Sequence, residues 1–271
     1  MSVKVLTVLS SDSMDFYPEN SVARFRNNID LQLDPSKRYE ACLHSVSFVR
    51  SWYNFLRSED YHVTYRNKNT SRNNRVVIEP GYYDRQTFFF AVKNRNQQSE
   101  NVYANDRSCA ISFDNTSFRF SVTFTQEFSM TKKLAYDSVV MSADLARKLG
   151  FGDGSSDRTL EWSNGESTQV FYSDYPVNFD PIDFFCVNTS LIKPTHNIGQ
   201  HRYSVLALVS SKASYGDRET YTAKDPLWFE VSKEEMLQPE FVLTTLTGRL
   251  VPFEFGTSSL TLLVKEIDDY V

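Results

Sequence analysis

The residues with chemical potential are few and scattered. Four histidines (His44, His62, His196, His201) and three cysteines (Cys42, Cys109, Cys186) are the natural candidates for metal ligands. No CxxC pair occurs, so a zinc site built on paired thiolates has no anchor. His196 and His201 flank a turn containing Gly199, and no third ligand is evident beside them. His44 lies inside an apolar strand and reads as a core or interface imidazole. Gly150-Phe151-Gly152-Asp153-Gly154 has the glycine density of a phosphate-cradling loop. It follows a helix, however, and lacks the Lys-Ser/Thr that would reach a phosphate and its magnesium. Asp153 and Asp157 could offer oxygens to calcium, yet the alternating carboxylates and closing bidentate Glu of a calcium loop are missing. A solvated turn is the better reading. There is no Gly-x-Ser-x-Gly elbow, no cysteine in a nucleophile's setting, and no carboxylate pair singled out for acid–base work. Trp52, Trp162 and Trp228 could form a sugar platform, although core packing is the commoner fate of aromatics in a β-sandwich. The sequence therefore predicts no catalytic residue, no metal site and no cofactor, and a non-enzymatic role.

Bulk composition narrows the partners. A net charge of −5 and a pI near 5.5 disfavour a general nucleic-acid coat, which needs a basic surface to displace counterions. The local basic group Arg66, Lys68, Arg72 and Arg75 reads as a solvated loop. No apolar run is long enough to span a membrane. The N-terminus lacks the apolar stretch of a secretory leader. Three widely spaced cysteines fit free buried thiols in a reducing compartment, and the sequons at Asn69, Asn115 and Asn188 then read as coincidence.

The elements that would position any site are mostly strands. With 41% hydrophobic residues, 21 Phe and 15 Tyr, the 271-residue chain can build a core and leans towards pleated surfaces. Phe118, Phe120, Val122 and Phe124 alternate with polar residues, as do Tyr61, Val63 and Tyr65 and, more briefly, Ile29, Leu31 and Leu33. Further strands are expected over 184–187, 203–209, 241–246, 250–255 and 260–267, with a tight turn at Thr247-Gly248. Apolar residues of both parities in Val205–Val209 suggest a strand covered on both faces. Helices are expected over 84–96 and 142–149, the second with Ser142 as N-cap and Gly150 as its C-terminal stop. Residues 67–74, 152–164 and 212–226 read as loops. Many short strands and only two helices point to a β-sandwich or barrel.

Six ordered landmarks resemble the penton-type minor capsid proteins of Polinton (Maverick) elements and adintoviruses. The first is Leu9-Ser10-Ser11-Asp12-Ser13 with Phe16-Tyr17-Pro18-Glu19-Asn20-Ser21 and Phe25. The second runs from Leu31-Gln32-Leu33 through Tyr39-Glu40-Ala41-Cys42-Leu43 and Ser45-Val46-Ser47-Phe48 to Ser51-Trp52-Tyr53-Asn54. The next two are Ile78-Glu79-Pro80-Gly81-Tyr82-Tyr83 and the helix from Met141 through Leu145 and Leu149 to Gly150-Phe151. Then come Phe185–Ser190, Asn197-Ile198-Gly199-Gln200 and Val205–Val209, and finally Gly248-Arg249-Leu250-Val251-Pro252-Phe253-Glu254-Phe255-Gly256 with Leu260–Val264. Gln200 stands where the family has Asp, and Ala207 where it has a basic residue.

The resemblance implies a single-jelly-roll capsid subunit that forms homopentamers at icosahedral vertices beside a double jelly-roll major capsid protein. It implies a virion location after synthesis in the host cytoplasm or nucleus. We therefore expect an all-β, single jelly-roll sandwich spanning residues 1–271, with 66–175 as an insertion or second β subdomain. The marked residues are expected to be architectural: Tyr17, Pro18 and Asn20 in a turn joining the first strand to Ile29–Leu33, then Phe25, Trp52, Asn54, Gly81, Tyr82, Tyr83, Leu145, Leu149, Gly150, Phe151, Gly199, Pro252, Phe253 and Gly256. Specific nucleic-acid binding and a membrane span are not expected. A carbohydrate- or receptor-binding β-sandwich is the other reading.

Overall fold

The computed structural model describes residues 3–13, 21–29, 33–34, 36–67, 72–98, 109–125, 137–163, 168–177, 179, 182–193, 196–198, 201–232 and 236–267. At 67, 72, 93–98, 196–198 and 201–203 it describes the backbone alone. The chain opens with β1 (Val3–Leu9), β2 (Arg24–Arg26) and β3 (Arg38–Val49). There follow β4 (His62–Asn67), β5 (Arg72–Val77), helix α1 (Arg85–Gln98), β6 (Cys109–Asp114), β7 (Arg119–Thr125), β8 (Ser138–Met141), helix α2 (Ala143–Lys148), β9 (Arg158–Glu161) and β10 (Thr168–Tyr172). The last stretch carries β11 (Phe184–Thr189), β12 (His196–Ile198), β13 (His201–Tyr203), β14 (Val205–Ser210), β15 (Arg218–Thr222), β16 (Phe229–Glu230), β17 (Glu240–Thr245) and β18 (Ser259–Ile267). These elements form two compact units: Met1–Trp52 with Ile182–Val271, and Tyr53–Pro181.

The first unit is a sandwich. One antiparallel sheet runs β1-β18-β3-β15, with β16 also on β3, and the other runs β14-β11-β17-β2. Counting only β1, β2, β3, β11, β14, β15, β17 and β18 along the chain, the two orders become 1-8-3-6 and 5-4-7-2. That interleaving, in which the ends of the chain pair and the middle strands alternate between sheets, is a jelly roll of two Greek keys. Its core draws on both sheets: Tyr39, Ala41, Leu43, Val46 and Phe48 of β3, Leu260, Leu262 and Val264 of β18, Phe185 and Val187 of β11, Phe241 and Leu243 of β17. The long strand β3 stays in register with this core through a bulge. Leu43 faces Leu262 and Ser45 faces Thr261, so His44 is the extra residue. The bulge shifts the inward parity from Leu43 to Val46. It also turns His44 outward, so that its imidazole is exposed and belongs to no core.

The second unit holds a three-stranded sheet, β10-β7-β6, and a four-stranded sheet, β5-β4-β8-β9. Both helices add to its core, which gathers Phe55, Tyr61, Val63, Tyr65, Phe88, Phe120, Val122, Phe124, Leu145, Leu149 and Phe151. Asp84 and Thr87 open α1 reciprocally: the Thr87 N–H donates to Asp84 Oδ1 at 2.8 Å and the Asp84 N–H to Thr87 Oγ1 at 2.9 Å. Helix α2 closes on a left-handed glycine. Gly150 has φ +79°, its N–H donates to Arg147 O, and the Phe151 N–H donates to Ala146 O. This is the Schellman pair, with buried Phe151 as its apolar contact.

Several local expectations fail, each for a structural reason. Ile29 and Leu33 lie outside strands; the pairing falls instead on β2, whose Phe25 inserts into the core. Residues 250–255 make only isolated bridges, Thr244 to Leu250 and Trp52 to Phe253. Phe118 is a left-handed turn residue (φ +54°) and half exposed, so the alternation begins at Phe120. Leu208 is 49% exposed, so β14 is not covered on both faces along its whole length. Within the stretches expected to be loops lie β9, β15 and the first half of β5. All are outer strands rich in Arg, Glu, Asn and Thr, whose solvent edge places little demand on apolar patterning. Ser142 precedes α2 but does not cap it with its side chain. Its hydroxyl donates to Asp60 O and accepts the His62 N–H, while Asp157 Oδ1 accepts the Ala143 N–H at 3.0 Å.

Candidate functional site

The marked residues converge on packing nodes, two of them non-local, and not on a reactive centre. In the first unit, Trp52 is fully buried and meets Phe253 edge-on, with ring centroids 5.5 Å apart. Phe48 stacks on Trp52 at 6.1 Å and meets Phe185 edge-on at 5.0 Å. The Ser51 hydroxyl donates to Phe255 O at 2.6 Å and accepts the Phe255 N–H at 3.3 Å. Gly256 closes this node: at φ +96° a side chain there would put Cβ 2.9 Å from Val49 Cβ. Pro252 sits half-buried in the same turn. Phe25 stacks on Phe241 at 5.6 Å.

The second node belongs to the other unit. The Asn54 carboxamide clamps the backbone of Tyr83, donating through Nδ2 to Tyr83 O at 2.7 Å and accepting the Tyr83 N–H at 2.9 Å. Phe55 and Gly81 exchange backbone hydrogen bonds of 3.0 Å in each direction. The Tyr83 ring crosses Phe55 at 5.0 Å, and its hydroxyl donates to Glu79 O. A Cβ on Gly81 would press against that ring at 3.3 Å. Tyr82 lies half-buried beside it. Leu145 of α2 and Leu149, its C-cap, are fully buried core residues, and Gly150 and Phe151 form the C-terminal stop. Tyr17, Pro18, Asn20 and Gly199 lie outside the described residues.

The chemistry set aside from sequence finds no assembled centre. Among the described residues, no group of three or more His, Cys, Asp or Glu side chains could hold a metal ion. Asp153 accepts the Ser155 N–H at 2.9 Å, which holds its carboxyl below the usual range, and Asp157 is occupied at the start of α2. His62 Nδ1 contacts Asp60 and Arg75. Buried Cys42 and Cys186 are free, with thiol pKa values raised mainly by burial, whereas Cys109 is only half-buried. Trp52 is inaccessible, Trp162 is half-buried, and Trp228 is half-buried with the Lys265 ammonium 4.1 Å from its ring centre. No three-tryptophan sugar platform is formed. No helix among the described residues is long and apolar enough to cross a membrane.

One pocket with charged groups on a largely apolar lining was not anticipated. It is a half-open pocket of about 250 Å³ between the 56–59 turn, the end of α2 and the 175–176 segment. Glu59 accepts from the Tyr61 hydroxyl and pairs with Arg147 at 2.7 Å. The Tyr61 hydroxyl pKa is raised, first by burial and then by Glu59. Lys148 stands over the Phe55 ring at 5.6 Å, and burial pushes its ammonium pKa down to about 8. No sequence signal links Glu59, Lys148 and Tyr175, because they meet only through the fold.

No family model and no curated protein matches this sequence. Among solved structures, the crystal structure of the selenomethionine-labelled mavirus penton protein matches over 98% of this chain and 100% of its own, with a TM-score of 0.53 and 14% identity. A chain from the 3.5 Å cryo-EM structure of the Sputnik virophage matches over 97% of both chains, with a TM-score of 0.42 and 13% identity. At these identities the first likeness bears on the fold, which agrees with the jelly-roll strand order of the first unit.

Proposed function

We propose that this chain is a non-enzymatic capsid protein of the penton type, built by a virus or virus-like transposon of the Polinton/Maverick, adintovirus or virophage kind. The observation that carries the reading is its fold likeness to the mavirus penton protein, end to end along both chains. The sequence landmarks support it, because Trp52 with Phe253 and Asn54 with Tyr83 form specific structural nodes. In this reading one domain spans 1–271, with the Tyr53–Pro181 unit inserted between β3 and β11 of the jelly roll. Five copies close a ring by head-to-tail contacts, seated at vertices beside a double jelly-roll major capsid protein, and the protein resides in the virion after synthesis in the host cytoplasm or nucleus. Native mass spectrometry of the full chain tests the ring. A species of five times 31.3 kDa is expected, and a strictly monomeric protein at high concentration, with no five-fold density in particles, would overturn the reading.

A further inference from the structure

The cavity at the end of α2 has the features of a small, pre-formed receptor for a single negative charge. Its walls are fixed. The Tyr175 N–H donates to Gly150 O at 3.0 Å, the Ser173 hydroxyl donates to Tyr175 O at 2.9 Å, and the Leu56 N–H donates to the Tyr61 hydroxyl at 3.2 Å. Leu56, Tyr175 and Pro176 line it with apolar surface, and the Tyr175 side chain remains 60% exposed at its rim.

The ion pairs at the cavity are unevenly shared: two carboxylates, Glu59 at 2.7 Å and Asp144 at 3.2 Å, both engage Arg147. Glu59 is itself held by Arg147 and the Tyr61 hydroxyl. Lys148 is the remaining cation. Its ammonium lies over the Phe55 ring, and among the described residues no carboxylate reaches ion-pair distance of it, Glu59 acting on it only at longer range. A partly buried ammonium with no directly paired carboxylate is costly to keep. Its lowered pKa follows first from burial and then, in opposite senses, from Glu59 and Arg147.

We propose that this cavity receives a carboxylate side chain of an acidic peptide segment, with Lys148 taking the charge and Leu56, Tyr175 and Pro176 taking the stem. A carboxylate fits better than a phosphate. Only one positive charge is uncommitted, and Glu59 on the wall would repel a dianion. The cavity is also smaller than a drug-sized pocket, which suits one or two side chains. This inference does not depend on the capsid reading, since a single folded chain carries the whole cavity.

The test uses the full-length protein with N-acetyl-glutamate amide, its uncharged N-acetyl-glutamine counterpart, and inorganic phosphate at matched ionic strength. Acetylation of Lys148 by acetic anhydride is followed by mass spectrometry, and binding by amide chemical shifts at Leu56 and Tyr175. The glutamate compound is expected to slow Lys148 acetylation at least twofold, while the glutamine compound and phosphate leave it unchanged. Lys148→Met should weaken the shift response about tenfold, the loss of one charge-assisted contact. Glu59→Gln should strengthen it severalfold by removing the repelling charge. Equal protection by the two amides, protection by phosphate alone, no protection at all, or an unaltered response in both variants would each overturn the proposal.

Discussion

Replacing Gly150 by alanine measures how much the end of α2 depends on one backbone geometry. Gly150 holds φ +79°, and a Cβ there would lie 2.3 Å from the Tyr175 carbonyl oxygen. The left-handed conformation costs an L-residue about 1–2 kcal/mol. The clash is with backbone, so the 173–176 segment must move and stretch the Tyr175 N–H to Gly150 O bond of 3.0 Å. Losing a bond of that kind costs about 1 kcal/mol more, for a total of about 2–3 kcal/mol. Two neighbouring glycines calibrate the estimate. Gly154 is also left-handed, φ +82°, but a Cβ there would meet Arg147 Cβ and Cδ at 2.9 Å, a milder approach than the 2.3 Å to backbone at Gly150, and the Cδ end can swing aside. Gly154→Ala should therefore cost about 1–2 kcal/mol. Gly152 has no positive φ and nothing within 4 Å, so Gly152→Ala should stay within about 0.5 kcal/mol. Urea denaturation gives the three values, and hydrogen exchange over residues 143–176 assigns them to this unit. If Gly150→Ala costs no more than Gly154→Ala, the close approach of Tyr175 is not what demands glycine there.

Three further outcomes are expected. Asp84→Ala removes the cap of α1 and should cost about 1 kcal/mol. Hydrogen bonds from Thr87 lower the Asp84 pKa below its ordinary 3.8, so this cap contributes above that pH and is lost as pH falls through the folded value, a difference visible in acid titrations of wild type against variant. Lys148→Met should stabilise the unliganded protein near neutral pH. The folded ammonium titrates at about 8 against 10.5 unfolded, so wild type carries its full penalty below pH 8 and sheds it towards 10.5. The gap between variant and wild type, up to about 3 kcal/mol at pH 7, should therefore narrow by pH 10 in denaturant titrations. Finally, Cys109, half-buried, should react with a thiol reagent first, and Cys42 and Cys186 only on unfolding; equal rates for all three would contradict the burial.

Local pattern was enough for the covered elements. The alternation Tyr61, Val63, Tyr65 and the run Phe120, Val122, Phe124 became strands whose apolar residues are all buried. Leu145, Leu149, Gly150 and Phe151 specify a helix and its stop within one short segment. The edge strands β5, β9 and β15 were not legible, because one of their sides meets water and accepts polar residues. The bulge that exposes His44 was hidden for a different reason: it exists only in the register between β3 and β18.

The sequence by itself determined an all-β chain with a large aromatic core, two helices at known places, and no recognisable reactive motif. Those properties follow from composition and short-range periodicity, which act between near neighbours. Only the tertiary structure decided the 1-8-3-6 and 5-4-7-2 strand orders, the pairing of Trp52 with Phe253 and Asn54 with Tyr83, and the isolated charge of Lys148. Each of these depends on which distant residues exclude water from one another, and that is set by chain topology, beyond the reach of any local window.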